Sequence, residues 1–522
     1  MAPLLDLVYL ALAVAALPWL VYQRLRYGKY RQGWSAKLWG AVPLRASPRP
    51  CLWLHAVSVG EVNLLAPLIQ RWEARHPQWD VVVSTTTQAG YELACRKYAP
   101  RMVFYAPLDF SWAVRRAVRR IRPTLLVLAE LELWPNLIAA AHRQGVGVAV
   151  VNGRLSPRSF RGYRRVRWLT RRMLRQLELV AVQNREYADR FAALGADPQR
   201  LKITGSVKFD GARTDRTAPQ VLRLAQLAGL RPDDIVWLAG STQHPEEELV
   251  LDVYRRLAAE FPHLALILVP RHPQRFEEVA RLLDRLGLPW QRRSALHEPA
   301  AGTSPPQAAP VTAPPAGSAA GPGATRAAAM RPVLLVDVVG ELGWWWGTAQ
   351  IAFVGGSLTQ RGGQNMIEPA AYGAAVAFGP NTWNFRDVVE LLLQNEAAVV
   401  VRDAAALEAF VRRCLTESDY ACRLGARARA VVLAQQGAAD QTVALLESLP
   451  QAAQADAAAA PPLRPQRSAT PARLDPHHLP ERSRPQAAFP AAPATPPSHL
   501  AIPPSPLAAE RSAPQHDSTA GS

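Results

Sequence analysis

Between Gln350 and Asp387 the chain reads GGSLTQRGGQNMIEPAAYG and then FGPNTWNFRD, bringing two glycine pairs, an amide and a carboxylate together behind one apolar run. QIAFVGG has the pattern of a buried strand ending in glycines that allow close backbone approach. MIEPAAYGAA opens the helix that follows, and the N–H groups at a helix start attract anions. The combination suits the phosphate and ribose of a nucleotide. Glycine-rich strand-to-helix turns also recur simply as tight turns, so this stretch alone specifies no particular donor.

Two acidic strand ends form a second constellation. HAVSVGE, residues 55–61, follows the strand CLWL and precedes the helical pattern NLLAPLIQRW, so Glu61 stands near a helix N-terminus at a strand's carboxyl end. A carboxylate there can simply complement the helix dipole, gaining roughly 0.3–1 kcal/mol, or it can do acid–base work. AELELWPNL places Glu130 and Glu132 at the end of TLLVL, ahead of a Trp134–Pro135 helix start. Two such ends facing one cleft repel each other unless a proton or a cation is managed between them.

The elements that must position these groups follow parallel-sheet grammar. CLWLHAV, DVVVST, TLLVLAE, GVAVVNG and ELVAVQ alternate with helical patterns. After the polar stretch GARTDRTAPQ the alternation restarts with DIVWLAGS, LALILVP, PVLLVDV, QIAFVGG and AAVAFGP. The expectation is an α/β chain of two doubly wound, Rossmann-like halves with a cleft beyond the strands' carboxyl ends. The boundaries read as 27–210, a linker at 211–222, and 223–450. Residues 297–330 and 451–522 are poor in large apolar side chains and rich in Pro and Ala, and are expected to be a disordered insertion and tail.

Residues 3–22, PLLDLVYLALAVAALPWLVY, are just long enough to cross a bilayer, and Arg24, Arg26, Lys29, Arg31 and Lys37 follow at once. Residues 1–26 are therefore expected to be a membrane anchor with the remainder on the cytoplasmic side. Asp6 and Pro18 also suit a helix lying in the interface, and a helix packed on the core is the third reading. With 522 residues and 49% hydrophobic content there is enough chain for two cores. The four cysteines have neither disulfide nor zinc spacing, so no structural metal is expected, and without an acidic D-x-D motif near the glycine loop no bound divalent ion or other cofactor is expected. The net charge of +18 lies in the folded part. DFSWAVRRAVRRIRP reads as a surface helix with Val114, Ala117, Val118 and Ile121 inward, and nine arginines fall between Arg154 and Arg175. An anionic membrane surface fits this charge. Nucleic acid is not expected, because no recognition motif accompanies it.

HAVSVGE, ELWPNL, NGRLSPRSFRGY, TGSVKFD, AGSTQHPEE, ILVPRHPQRFEEV, VGEL, GGSLTQRGGQNMIEP and FGPNTWNFRD, in that order from about Tyr27 to Ser448, resemble the bacterial Kdo (3-deoxy-D-manno-oct-2-ulosonic acid) transferase family. The resemblance implies a GT-B glycosyltransferase fold. It also implies an inverting reaction that moves Kdo from CMP-Kdo to a lipid A precursor, lipid IVA, in lipopolysaccharide synthesis at the cytoplasmic face of the inner membrane. Glu61 would be the proton acceptor, with Glu130 and Lys208 stabilising the transition state. CMP would be held by Pro270 and Arg271, by Val339, Gly340 and Glu341, and by Asn365, Met366, Ile367 and Glu368. Ser241 and Thr242 are either phosphate-side hydroxyls or a helix N-cap.

The chain departs from the family pattern at Gln364, at the loop Thr359–Gln360–Arg361 and at the run Trp344–Trp346, which either caps the cytosine or packs. A GT-B enzyme using another nucleotide sugar, such as a UDP-sugar, would keep the sheets but lack the HAVSVGE and ELWPN pair. A non-catalytic membrane scaffold is opposed by the intact Glu61, Arg271 and Glu368.

Overall fold

The structure, a computed structural model, describes residues 2–27, 32–297 and 330–459. The expected insertion at 297–330, apart from its two end residues, and the tail from 460 onward lie outside the described residues.

The first sheet has strands β1 (Cys51–His55), β2 (Asp80–Thr85), β3 (Met102–Tyr105), β4 (Leu125–Ala129), β5 (Gly147–Gly153), β6 (Leu179–Val182) and β7 (Leu201–Ile203), in the order β3-β2-β1-β4-β5-β6-β7. The second has β8 (Ile235–Thr242), β9 (Leu264–Pro270), β10 (Trp290–Arg292), β11 (Val333–Leu335), β12 (Ile351–Val354), β13 (Ala375–Phe378) and β14 (Val399–Val400), in the order β10-β11-β9-β8-β12-β13-β14. Every pairing is parallel. All ten expected strands are present. The four that sequence patterning missed are the short edge strands β3, β7, β10 and β14, which have one neighbour each.

A parallel sheet is covered on both faces, which is why strands such as Leu125–Ala129 are apolar throughout. Strand order reverses between β1 and β4 in the first sheet and between β8 and β12 in the second, and such switch points open crevices at the strands' carboxyl ends. His55 at the end of β1 is buried and its ring bonds the Ser84 hydroxyl at 2.9 Å. Burial lowers its pKa to about 4, so it is a neutral structural residue. The helix Ser111–Ile121 follows expectation: Val114, Ala117, Val118 and Ile121 are fully buried while Arg115, Arg116 and Arg119 are exposed.

The domain boundaries shift. A helix begins at Pro219, within the expected linker, and it buries Val221 and Leu224 in the second core, so the second domain starts earlier than 223. At the other end the chain crosses back. The helix Ala438–Glu447 buries Ala438, Ala439, Val443 and Leu446 in the first domain's core, although 223–450 was expected to form one unit. The expected tail is also corrected at its start. Pro450–Ala459 is helical, with Leu449 and Ala452 buried and Asp456 accepting from Trp79 Nε1 at 2.7 Å and Gln78 Nε2 at 2.8 Å. Apolar spacing marks such helices as amphipathic but does not say which core receives them.

The two crossings are stitched together. Asp210, on the outward crossing, accepts from the backbone N–H of Gly437 at 2.6 Å and of Ala439 at 2.8 Å on the return, while Gln436 Nε2 donates to Phe209 O at 3.2 Å. The Asp210 carboxylate is 1% exposed, so truncation strands two N–H groups away from water. Asp210→Ala is expected to cost about 2–4 kcal/mol, read as a lowered urea midpoint in equilibrium unfolding.

Candidate active site

Glu61 sits in the first turn of the helix Val59–Arg75, beyond the end of β1. Its Oε2 accepts from the Val57 N–H at 2.8 Å, its Oε1 accepts from the Ser58 hydroxyl at 2.9 Å, and the Ser58 oxygen accepts from the Glu61 N–H at 3.4 Å. This is a variant of the capping box, with the Val57 N–H in place of the N-cap N–H, and it holds the carboxylate through both oxygens. Burial raises its pKa above the usual carboxylate range, the two hydrogen bonds pull it back, the charge of Glu130 raises it, and Lys208 lowers it.

Glu130 follows β4, across the switch point from Glu61. Its backbone is left-handed at φ 55°, a conformation held by its N–H donating to Val151 O at 2.9 Å. Its Oε1 meets Lys208 Nζ at 3.1 Å. Lys208 reaches that point because its neighbours are planted on opposite sides: Val207 belongs to the first domain's core and Phe209 to the second's. Val207 is further fixed by its N–H donating to Asn152 Oδ1 at 3.0 Å. The structure thus brings together the three residues singled out as catalytic.

Sequence reasoning noticed Glu132 but gave it no role. Burial, then the charge of Glu61, push its pKa to about 7, against a hydrogen bond from Trp134 Nε1 at 2.9 Å. A cation bridging Glu130 and a proton on Glu132 relieve the repulsion expected of these strand ends.

In the second domain the glycine pair Gly355–Gly356 is not the anion cradle that its sequence suggested. The N–H groups of Gly356, Ser357 and Leu358 donate at 2.6, 2.9 and 2.9 Å to the Glu246 carboxylate, which also takes the Gln243 N–H at 3.0 Å. Glu246 is fully buried, so a protein carboxylate occupies the nest that a phosphate would otherwise take. Gly355 is required by chain against chain: a Cβ there would come within 2.6 Å of Thr242 Cα. The only sign of Glu246 in the sequence was the acidic start, PEEE, of the helix after β8.

Of the remaining residues expected on the donor side, Asn365, Glu368 and Arg271 lie close enough to interact. Asn365 Nδ2 donates to Glu368 Oε1 at 3.0 Å, and Asn365 Oδ1 accepts from the Ile367 N–H at 3.1 Å. Burial raises the Glu368 pKa, and Arg213 and Arg271 act against it. Met366 and Ile367 bury their side chains in the core and have only backbone to offer. Pro270 ends β9 buried, while Arg271 is exposed and its N–H donates to Thr242 O at 2.9 Å.

Val339 and Gly340 are exposed, whereas Glu341 is already clamped by Arg293 through two 2.9 Å bonds and by Trp345 Nε1 at 3.1 Å. Neither Ser241 nor Thr242 caps the helix Glu246–Ala258, whose N-cap is Pro245, so the capping reading falls. Trp345 and Trp346 are buried and pack, while the Trp344 ring carries the Arg213 guanidinium 3.9 Å from its centroid. Arg213 and Arg293 were missed because neither position has a local signature.

A cavity of about 300 Å³ runs between the domains, lined by Arg154, Lys208, Phe209, Phe385 and Asp387 among others. Arg154 Nε and Asp387 Oδ2 approach to 3.5 Å across it, and the Tyr187 hydroxyl donates to Asp387 Oδ2 at 2.9 Å. Among the described residues, the cluster Asp233, Asp234 and His263 is close enough to hold a cation, but it lies at the amino end of β8, opposite the cleft, and Asp234 is paired with Arg331.

Two doubly wound domains, with acidic groups at one switch point and a carboxamide–carboxylate pair near two arginines at the other, have the GT-B architecture. A model of the family 3-Deoxy-D-manno-octulosonic-acid transferase (kdotransferase) matches residues 25–211. The 3-deoxy-D-manno-octulosonic acid transferase of Haemophilus influenzae is 32% identical over 422 residues, 80% of this chain and 92% of its own. That of Bordetella pertussis is 33% identical over 409 residues, 76% of this chain and 86% of its own. Among solved structures, the C-terminal CMP-Kdo binding domain of WaaA from Acinetobacter baumannii is 29% identical, covering 41% of this chain and 96% of that one, with a TM-score of 0.33. The chain belongs to the 3-deoxy-D-manno-octulosonic acid transferase family.

Two outcomes are expected here. Glu246→Gln places an NH₂ group among N–H donors and should cost on the order of 3 kcal/mol, read by calorimetry. The raised pKa of Glu132 means that the folded chain binds its proton more tightly than the unfolded chain does. Its contribution to stability is therefore most favourable below roughly pH 4.3, declines as pH rises, and levels off above about 7. The Tm of Glu132→Gln relative to the parent should rise between pH 5 and pH 8.

Proposed function

We propose that this enzyme transfers Kdo from CMP-Kdo to a lipid A precursor, lipid IVA, with inversion at the anomeric carbon, in lipopolysaccharide synthesis at the cytoplasmic face of the inner membrane. The observation that carries the reading is the placement of Glu61 across the first switch point from the Glu130–Lys208 pair, with Lys208 on the crossing between the two cores.

Glu61 accepts the proton of the acceptor hydroxyl as that oxygen bonds to the anomeric carbon, and the bond from that carbon to phosphate breaks with its electron pair leaving on CMP. A single displacement inverts the centre. The capping box holds the carboxylate in one orientation before substrate arrives, so positioning adds to basicity. Lys208 offers positive charge to the donor's carboxylate or the departing phosphate, and Glu130 fixes the ammonium by its 3.1 Å contact.

On the donor side, Arg271 suits phosphate through its planar fork, and Glu368, oriented by Asn365, suits ribose hydroxyls. Pro270, Val339, Gly340, Met366 and Ile367 contribute shape and backbone groups. Glu341, held by Arg293, acts as a brace for its loop. The acceptor's phosphates and the anionic bilayer fit the exposed arginines of the helices Pro157–Arg165 and Arg167–Leu174.

The test is turnover of CMP-Kdo with a tetra-acylated lipid A precursor, followed by CMP release and the mass of the lipid. Glu61→Gln should lower kcat roughly 10²–10⁴-fold while CMP still raises the Tm. The base form of Glu61 is lost as pH falls, and its pKa is raised, so the acid limb of kcat/KM should lie above the ordinary carboxylate range. Undiminished turnover by Glu61→Gln would remove Glu61 as the base.

A further inference from the structure

The helix Ala2–Tyr27 has the length and composition of a membrane span, yet its N-terminal end is bonded to the catalytic domain. Asp6 Oδ1 accepts from the Ser111 N–H at 2.8 Å, and Asp6 Oδ2 accepts from the Ser111 hydroxyl at 2.6 Å. Asn136 Nδ2 adds a bond to Asp6 at 3.3 Å, and the Tyr9 hydroxyl donates to Asp109 at 3.1 Å. The helix Ser111–Ile121 has Phe110 at its N-cap, which cannot accept, so Asp6 supplies from another helix the cap that this one lacks. Asp109 caps the neighbouring helix Pro135–Arg143 through the Asn136 and Leu137 N–H groups at 2.9 and 2.8 Å.

The N-terminal end of the helix also packs on the protein: Ala2 and Leu5 share a groove with Asn136, Leu169 and Met173, and the Tyr9 ring meets Phe110 edge-on. Ala2, Leu5, Tyr9, Ala13, Ala16 and Gln23, at helical spacing, are half-buried, whereas Leu4, Leu7, Leu10, Leu12, Leu17 and Trp19 are exposed.

Chain length then decides the topology. From Asp6 to Tyr27 a helix advances roughly 32 Å, about the thickness of a hydrocarbon core. Gln32 is five peptide units beyond Tyr27, a reach of at most ~18 Å. The chain from Gly33 is back on the domain, where Lys37 O accepts from the Leu108 N–H at 2.8 Å. If Asp6 and Gln32 both stay with one domain, the helix cannot cross a bilayer between them.

We propose that Ala2–Tyr27 is an in-plane, monotopic helix, latched to the first domain by Asp6 and Tyr9, whose outward apolar side sinks into the anionic cytoplasmic leaflet. The inference rests on the membrane reading above and replaces the spanning form of it. Because Asp6 and Tyr9 hold the N-terminal end against the domain, the leaflet is what buries the exposed side chains Leu4, Leu7, Leu10, Leu12, Leu17 and Trp19. The surroundings suit one occupant, a bilayer surface. Helix Arg167–Leu174 shares a groove with Ala2 and Leu5 through Leu169, Arg172 and Met173, and its Trp168, Arg171 and Arg172 are exposed. Tryptophan and arginine are the side chains favoured at the headgroup level of an anionic membrane.

The test uses the full chain in membranes. Asp6→Cys with Ser111→Cys should form a disulfide in near-quantitative yield on mild oxidation, seen as a cross-linked peptide by mass spectrometry. A spanning helix would hold the two positions on opposite sides of the bilayer, and absence of the cross-link in a chain that CMP still stabilises would overturn the latch. Separately, Pro3→Cys should react with a membrane-impermeant maleimide from the same side of sealed vesicles as the exposed Cys422. Reaction from the opposite side would overturn the in-plane arrangement. Flotation of the parent chain with vesicles containing phosphatidylglycerol, and less with zwitterionic ones, reports membrane attachment on its own. Its failure would sink the membrane reading itself, whatever the topology.

Discussion

The arrangement depends on one covalent constraint: Lys208 lies between two residues that belong to different hydrophobic cores. Val207 cannot leave the first core, nor Phe209 the second, without exposing a buried side chain at a cost of roughly 1.5–3 kcal/mol each. The ammonium between them is therefore delivered to the domain boundary by burial on both sides, and Glu130 needs only to meet it. A lysine on an ordinary surface loop would lose rotamer entropy to make the same contact; here the backbone is already fixed.

Around that point the chain manages charge with its own groups. Glu61 is held by its own helix start, Glu130 by a cation, and Glu132 by retaining a proton toward neutral pH. On the donor side Glu246 takes four backbone N–H groups, so that two loops from neighbouring strands move as one piece. Glu368 is oriented by Asn365 and faced by Arg213 and Arg271. Each carboxylate taken out of water is compensated by a different device, and unpaired burial of any of them would be expensive.

Much of this was legible in the sequence. Long buried strands announce themselves as continuous apolar runs, and Glu61, Glu130 and Lys208 fall in motifs whose order and spacing specify the family. Edge strands of two to four residues, such as β14 and β7, leave too little pattern. The return of Ala438–Glu447 to the first core has no local mark, since apolar spacing is the same whichever core receives it. The glycine pair at 355–356 misled because close approach was expected to serve a ligand, whereas Gly355 serves the backbone of Thr242. Asp6 was read only as a residue that a helix lying in the interface tolerates. Its role as a cap depends on a helix more than a hundred residues away, and pattern within a window cannot show that.

The stitching of the two crossings by Asp210 has a mechanical consequence. Asp210 and Gly437 lie on strands of chain that run in opposite directions between the domains, and binding them together makes a single axle out of two threads. The Arg154–Asp387 contact, which lines the same cavity as Lys208 and Phe209, spans the cleft close to that axle. Lys208, two residues from the pivot, hardly translates. Any parting of the domains about it separates Arg154 from Asp387 while leaving Lys208 beside Glu130.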